Sequence, residues 1–164
     1  MKKLLIISFV LSFALVSSRA CATGIGGAIG LGHYWAAGGG ISGLALSGYV
    51  DIGLNNGFSL VPAIELWTRS EYGQSITDLT PAVALKYTAP SKNISPFLGF
   101  EPQLHVFSSS GESRSYFGIG GFGGLDIPVS PTKSFPLQAS YGLIFSEGAT
   151  VSVFTAKIGM FARI

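Results

Sequence analysis

The feature that most constrains this chain is a two-residue alternation repeated along its length. Leu44, Leu46, Gly48, Val50, Ile52 and Leu54 alternate with Ala45, Ser47, Tyr49, Asp51 and Gly53. After Asn55-Asn56-Gly57 the pattern restarts, with Phe58, Leu60, Pro62, Ile64 and Leu66 set against Ser59, Val61, Ala63, Glu65 and Trp67. Successive side chains of a strand point to opposite faces, so each run predicts a strand with one apolar face. The intervening Asn-Gly tolerates positive φ and signals a tight hairpin. Similar runs open at Leu79, Pro96, Phe117, Phe135 and Phe154, and a Gly-rich run carries Ile25, Ile29, Leu31, His33 and Trp35. That makes eight, an even number. After residue 22 no stretch reaches 18 consecutive apolar residues, so no helical span is expected.

The two faces differ in chemistry. One carries aliphatic and aromatic side chains and no Asp, Glu, Lys or Arg. The other carries Asp51, Glu65, Lys86, Glu101, Gln103, His105, Asp126, Gln138, Lys157 and Arg163 among Gly, Ala, Ser and Thr. A soluble barrel would cover its polar face with long charged residues, yet only 11% of this chain is charged and 23 residues are glycine; typical domains carry about 25% charge. Small residues around a few polar groups suit the interior of a narrow barrel, and the uncharged face suits lipid. In a bilayer every backbone N–H and C=O must pair internally, so strands span only as a closed barrel. The expected fold is therefore all-β: an eight-stranded antiparallel up-and-down transmembrane barrel.

With the N-terminus on the inner side, the outer connections fall at 36–40, 68–77, 106–115 and 146–150, and the inner turns at 55–57, 89–95 and 128–134. Phe58, Tyr87 and Phe135 lie near inner turns and Trp35, Phe117 and Phe145 near outer loops, as girdles at two headgroup boundaries would. Pro62, Pro81 and Pro102 fall inside strands, although proline cannot donate to a ladder.

Residues 1–22 have the build of an export signal. Lys2 and Lys3 precede an apolar stretch of 13 residues, Leu4 to Val16, and Ala20-Cys21-Ala22 fits a small-x-small cleavage site. Thirteen residues are too short for a transmembrane helix, which needs about 20. Cleavage between Ala22 and Thr23 leaves 23–164 as the barrel domain. It removes Lys2, Lys3 and Arg19, so 7 basic residues face 8 acidic ones and the net charge becomes −1. The basic balance belongs to the precursor, and no basic cluster supports nucleic-acid binding.

Chemistry is sparse. The two histidines are far apart and the sole cysteine lies in the signal segment, so neither a metal site nor a disulfide is expected. No glycine run ends in the Lys-Ser/Thr of a phosphate loop, and no cofactor is implied. Glu101 and His105 share a face, but i and i+4 on a strand are roughly 13 Å apart and form no preformed dyad. The residues expected to act together are Asp51, Glu65, Lys86, Glu101, His105, Asp126 and Lys157, as an interior polar network whose opposite charges compensate one another. In simple hairpin register Lys86, Phe97 and Asp126 share an inner layer, with Glu65, Glu101 and His105 higher.

Two stretches carry a family likeness. Ser95-Pro96-Phe97-Leu98-Gly99-Phe100 resembles a strand opening common after an inner turn, and Lys157-Ile158-Gly159-Met160-Phe161-Ala162-Arg163-Ile164 resembles an alternating C-terminal strand. Both are similar to the small eight-stranded outer-membrane barrels of the opacity-like and attachment type, although those usually end in Phe or Trp and this chain ends in Ile164. The resemblance implies a location in the cell outer membrane of a Gram-negative envelope. It also implies contact with outer-membrane lipid and lipopolysaccharide, and engagement of the barrel-assembly machinery through the last strand. A monomeric, non-enzymatic protein with a side-chain-filled interior, serving envelope structure or surface interaction, is the expected function. The alternatives are a lipid A-modifying enzyme, for which His33 stands on the right face but has no His-x-Ser partner, and a soluble periplasmic lipocalin-like binder.

Overall fold

The structure is a computed structural model that describes residues 23–71, 74–91, 93–146 and 148–164. The expected signal segment, 1–22, lies outside the described residues.

Eight strands follow one another: β1 (Thr23–Ala36), β2 (Gly39–Gly53), β3 (Phe58–Glu71), β4 (Gln74–Thr88), β5 (Ser95–Ser109), β6 (Glu112–Ser130), β7 (Lys133–Ser146) and β8 (Ala149–Arg163). Each pairs antiparallel with the next, and β8 closes on β1 to give a barrel. Registered partners can be followed once around, from Ile52 through Leu60, Leu85, Phe100, Gly121, Tyr141, Phe154 and His33 to Ser42. The path returns to β2 ten residues away (52 − 42). That stagger tilts the strands and sets the narrow bore of a small barrel.

The alternation decides which side faces out. Ile29, Leu46, Ile64, Leu85, Phe100, Leu125, Leu137 and Ile158, one from each strand, are all exposed. A continuous apolar belt therefore surrounds the barrel, the inverse of a soluble barrel's surface. Two pairs of the rings expected near the strand ends touch: Phe58 with Tyr87 at 5.0 Å, and Phe117 with Phe145 at 6.4 Å between centroids.

The three prolines are accommodated without slippage. Between β2 and β3 the pairs run from Tyr49↔Ala63 to Ile52↔Leu60, passing over Pro62. Between β4 and β5 they run Leu79↔Val106, Ala82↔Gln103 and Leu85↔Phe100, passing over Pro81 and Pro102. Each proline keeps a registered partner on its other side (Val83, Ile64 and Ile119). Strand residues bond to alternate neighbours, so a missing N–H weakens one seam and leaves the other intact.

The connections correct the expected loops. Residues 68–71, 74–77, 106–109 and 112–115 are strand, so the outer loop placed at 106–115 shrinks to a turn at Ser110 and Gly111, and most of the one placed at 68–77 is strand paired as far as Glu71↔Gln74. Ser110 and Gly111 sit at φ 51° and 86°, the geometry a tight hairpin with two positive-φ residues demands. The polar serines and threonines there imitate a loop's composition while keeping strand pairing. Likewise β6 runs to Ser130 and β7 begins at Lys133, which narrows the expected 128–134 turn to Pro131 and Thr132 around a register shift at Pro128/Ser130.

Candidate functional site

Inward-pointing side chains fill the barrel in layers. At the outer end Tyr34, Ala45, Trp67, Ile144 and Val153 form a buried cluster, with Ile41, Ile76, Phe107, Tyr116 and Val151 packed against it. These ten residues come from all eight strands, so the whole wall contributes to this septum. Trp67 reaches from β3 across β2 to β1, where its Nε1 donates to the Gly32 carbonyl at 3.1 Å. The indole fits because Gly32 and Gly43 lie beneath it; a Cβ on either would stand 2.6 Å from its ring. The Tyr34 ring is tilted at 46° against Trp67, with centroids 4.5 Å apart. A second apolar cluster, Val61, Ala84, Phe97 and Phe122 with Tyr49 against it, occupies the inner half.

Polar groups lie between and beside these layers. All seven residues anticipated for the interior stand on inward-facing positions, and the structure pairs most of them. Lys157 of β8 bonds to Glu65 of β3, and Lys86 of β4 to Asp51 of β2. Lys86 also stands 5.7 Å from the Phe97 ring, but its ion partner is Asp51 and not Asp126. Gln103 donates to Glu101 at 2.7 Å and faces His105 Nε2 at 3.1 Å through its own carbonyl oxygen. One amide thus spans the gap between Glu101 and His105. Asp126 stands apart: its Oδ1 is buried without a hydrogen-bond partner among the described residues.

The sequence reading missed Asp78, which is fully buried. Its Oδ2 accepts from Tyr34 at 2.9 Å and lies 2.6 Å from His105 Nδ1, and Thr80 Oγ1 lies 3.0 Å from the same nitrogen. Asp78 falls between the expected 68–77 loop and the run that opens at Leu79, so the alternation places it on neither face. Its spacing from Lys86 on the same strand was the available signal. Asp78 and Thr80 both approach Nδ1 of a buried histidine, so they do not make a triad, in which nucleophile and acid engage opposite ring nitrogens. A cavity of about 90 Å³ lies among Glu65, Lys86, Glu101, Gln103, His105 and Lys157, room for several waters. No group of three or more metal-ligating side chains occurs among the described residues.

Among the polar pairs on the exterior is one that joins a histidine to a serine. His33 Nδ1 lies 2.8 Å from Ser42 Oγ across the β1–β2 hairpin, and both side chains are exposed on the belt face. The partner of His33 is nine residues on, where a search of neighbouring positions could not find it.

A closed eight-stranded antiparallel barrel, apolar outside and polar within, is the fold of the small outer-membrane barrel proteins. Solved structures that it resembles include proteins of that class. Neisserial surface protein A matches at 12% identity over 87% of this chain and 97% of its own, with a TM-score of 0.79. Ail, the attachment invasion locus protein of Yersinia pestis, solved with the heparin analogue sucrose octasulfate, matches at 15% identity over 89% and 99%, TM-score 0.58. The outer membrane enzyme PagL matches at 14% identity over 86% and 99%, TM-score 0.55. At these identities the likeness is one of fold. No protein-family model matches the sequence, and no curated protein does.

Proposed function

We propose that this chain is a non-enzymatic integral protein of the cell outer membrane, a filled barrel that serves envelope structure or surface contact. The observation that carries this reading is the septum of Tyr34, Trp67 and Ile144, buried side chains that fill the bore at one end. Eight strands enclose an interior that side chains can fill, whereas 16 or more leave an aqueous channel. The apolar belt supports a lipid surround that includes lipopolysaccharide. The paired charges inside support a structural role for Asp51, Glu65, Lys86 and Lys157, since an unpaired buried charge is strongly destabilising. Strand β8, which closes the barrel, is the segment we assign to the assembly machinery, and a monomer suffices because no strand is left unpaired by closure. In purified outer membranes the protein should migrate at different apparent mass before and after heating, and planar bilayers should record no steady conductance. A single heat-independent band in the soluble fraction would instead indicate a lipocalin-like binder, and a porin-sized conductance would overturn the filled-barrel reading.

A second reading is an enzyme acting on acyl esters of outer-leaflet lipid, favoured by the His33–Ser42 hydrogen bond on the belt face and by the PagL likeness. The β2–β3 ladder ends at Leu44↔Thr68, so the β3 side of Ser42 lies outside the registered pairs. Among the described residues no carboxylate reaches His33, so the orienting acid of a triad is missing, and this reading ranks second. Lipid A mass spectra from cells with and without the protein, and with Ser42→Ala, decide between them.

A further inference from the structure

The end of the barrel opposite the septum holds a second cavity, of about 210 Å³. Strand β6 builds one wall of it. It runs four residues past Ser95↔Asp126, its last pair with β5, and stays on β7 as far as Ser130↔Lys133. Across the next seam Lys133 pairs with Ala162, and the Arg163 N–H donates to the Thr132 carbonyl at 2.8 Å. The ladder thus fixes Lys133 and Arg163 on adjacent strands at the rim, both exposed. Asp126 and Phe161 line this cavity and the bore cavity alike, so they form the floor between the two.

The charges here are unmatched. Among the described residues neither Lys133 nor Arg163 has an ion pair or a side-chain hydrogen bond, and neighbouring cations across a ladder repel. Asp126 has no cation partner among them either, and its Oδ1 is buried without a hydrogen bond. A buried carboxylate oxygen is costly until a donor reaches it. The opposite charges do not meet. Asp126 pairs with Pro136, which lies three positions along β7 from Lys133, roughly 10 Å of strand. The cavity therefore offers an acceptor at its floor and cations at its rim, with the Phe161 ring and the Ser95 and Ser134 hydroxyls also lining it. A simple anion would be drawn to the rim and repelled by Asp126, and a simple cation would meet the rim first. A ligand that carries a positive end and a negative end satisfies both. At that separation a single α-amino acid is too short, whereas an extended peptide of about three residues, at about 3.4 Å per residue, has the length.

We propose that this inner mouth is a binding site for a short zwitterionic peptide, its ammonium on Asp126 and its carboxylate on Arg163 and Lys133. The guanidinium offers a carboxylate two parallel donors, and the ammonium supplies the donor that Asp126 Oδ1 lacks. The inference goes beyond the membrane reading above, since it gives the barrel a ligand at the end that the septum leaves open.

The test is nuclear magnetic resonance of the folded protein in lipid nanodiscs, titrated with trialanine, N-acetyl-trialanine, trialanine amide or glycerophosphoethanolamine. Wild type should bind trialanine saturably, with the largest shifts at the amides of Ser95, Asp126 and Ser134. Each blocked form should bind about tenfold more weakly, the loss of one charged contact. Asp126→Asn should erase the difference between trialanine and its acetylated form. Lys133→Gln with Arg163→Gln should erase the difference from the amide, and reads the proposal alone should Asp126→Asn not fold. Equal binding of free and blocked peptides, unchanged discrimination in the variants, or no saturable shift each overturns the proposal. Tighter binding of glycerophosphoethanolamine than of trialanine would make the occupant a lipid headgroup and overturns it too. The heat-dependent gel shift, read in parallel, reports separately on membrane insertion.

Discussion

The Lys157–Glu65 pair gives the sharpest test of how the interior is held together. The lysine side chain is 7% exposed and the carboxylate 19%, so water screens the contact poorly. Glu101 lines the same cavity as both groups, so Lys157 serves a cavity that holds two acidic side chains. The two substitutions are therefore unequal. Glu65→Gln leaves an ammonium that still shares the cavity with Glu101, at a cost of roughly 1–3 kcal/mol, the range for a hydrogen bond to a charged group. Lys157→Met leaves two inward carboxylates without their cation, and should cost about 3–5 kcal/mol, as removal of one partner of a buried pair does. At an effective dielectric near 20, unit charges about 4 Å apart interact by about 4 kcal/mol, so repulsion and lost attraction are of the size required. The double variant should be more stable than the sum of the singles predicts, by about 1–3 kcal/mol. Urea titration of the barrel in lipid vesicles, followed by Trp35 and Trp67 fluorescence and by the gel shift, measures all three. Equal costs for the single variants, or additivity within about 0.5 kcal/mol, would refute the argument that one lysine serves two carboxylates.

Other outcomes follow from the belt and the septum. Ile29→Arg places a charge on the exposed belt and should destabilise the barrel in vesicles by about 2–4 kcal/mol if that position lies at the bilayer midplane; a neutral result in the same titration would displace the belt. Trp67→Ala removes a fully buried ring and should cost about 3–5 kcal/mol, with intermittent conductance appearing in planar bilayers where wild type is silent. Gly43→Val puts a Cβ 2.5 Å from the Thr68 carbonyl oxygen and 2.6 Å from the Trp67 ring. It should shift Trp67 emission and lower stability by about 1–3 kcal/mol, and unperturbed emission would contradict the seating of the indole.

How much could be read beforehand depends on which physical rule governed each part. The belt from Ile25 to Met160 was legible because a strand assigns faces by parity alone, and eight parity runs with one uncharged face leave lipid as the solvent of that face. The outer turns were not legible. Ser108, Ser113 and Thr77 have loop composition, yet their backbone is held in the ladder by partners on other strands, and composition reports contact with water rather than pairing. Asp78 was overlooked for the same reason, since the end of a strand is fixed by its neighbour and not by its own residues.

By itself, then, the sequence determined that this chain makes strands, which side of each faces outward, and that the inward side holds a few charges among small residues. Those are properties of single residues and of a two-residue period. Only the tertiary structure decided the partners. Lys157 meets Glu65 across 92 residues of chain and Tyr34 meets Asp78 across 44; Ser42 meets His33 across a hairpin. The reason is the ten-residue stagger of the closed barrel, which exists only once β8 has met β1. That closure sets the height of every side chain in the bore, and so which opposite charges can neutralise each other away from water.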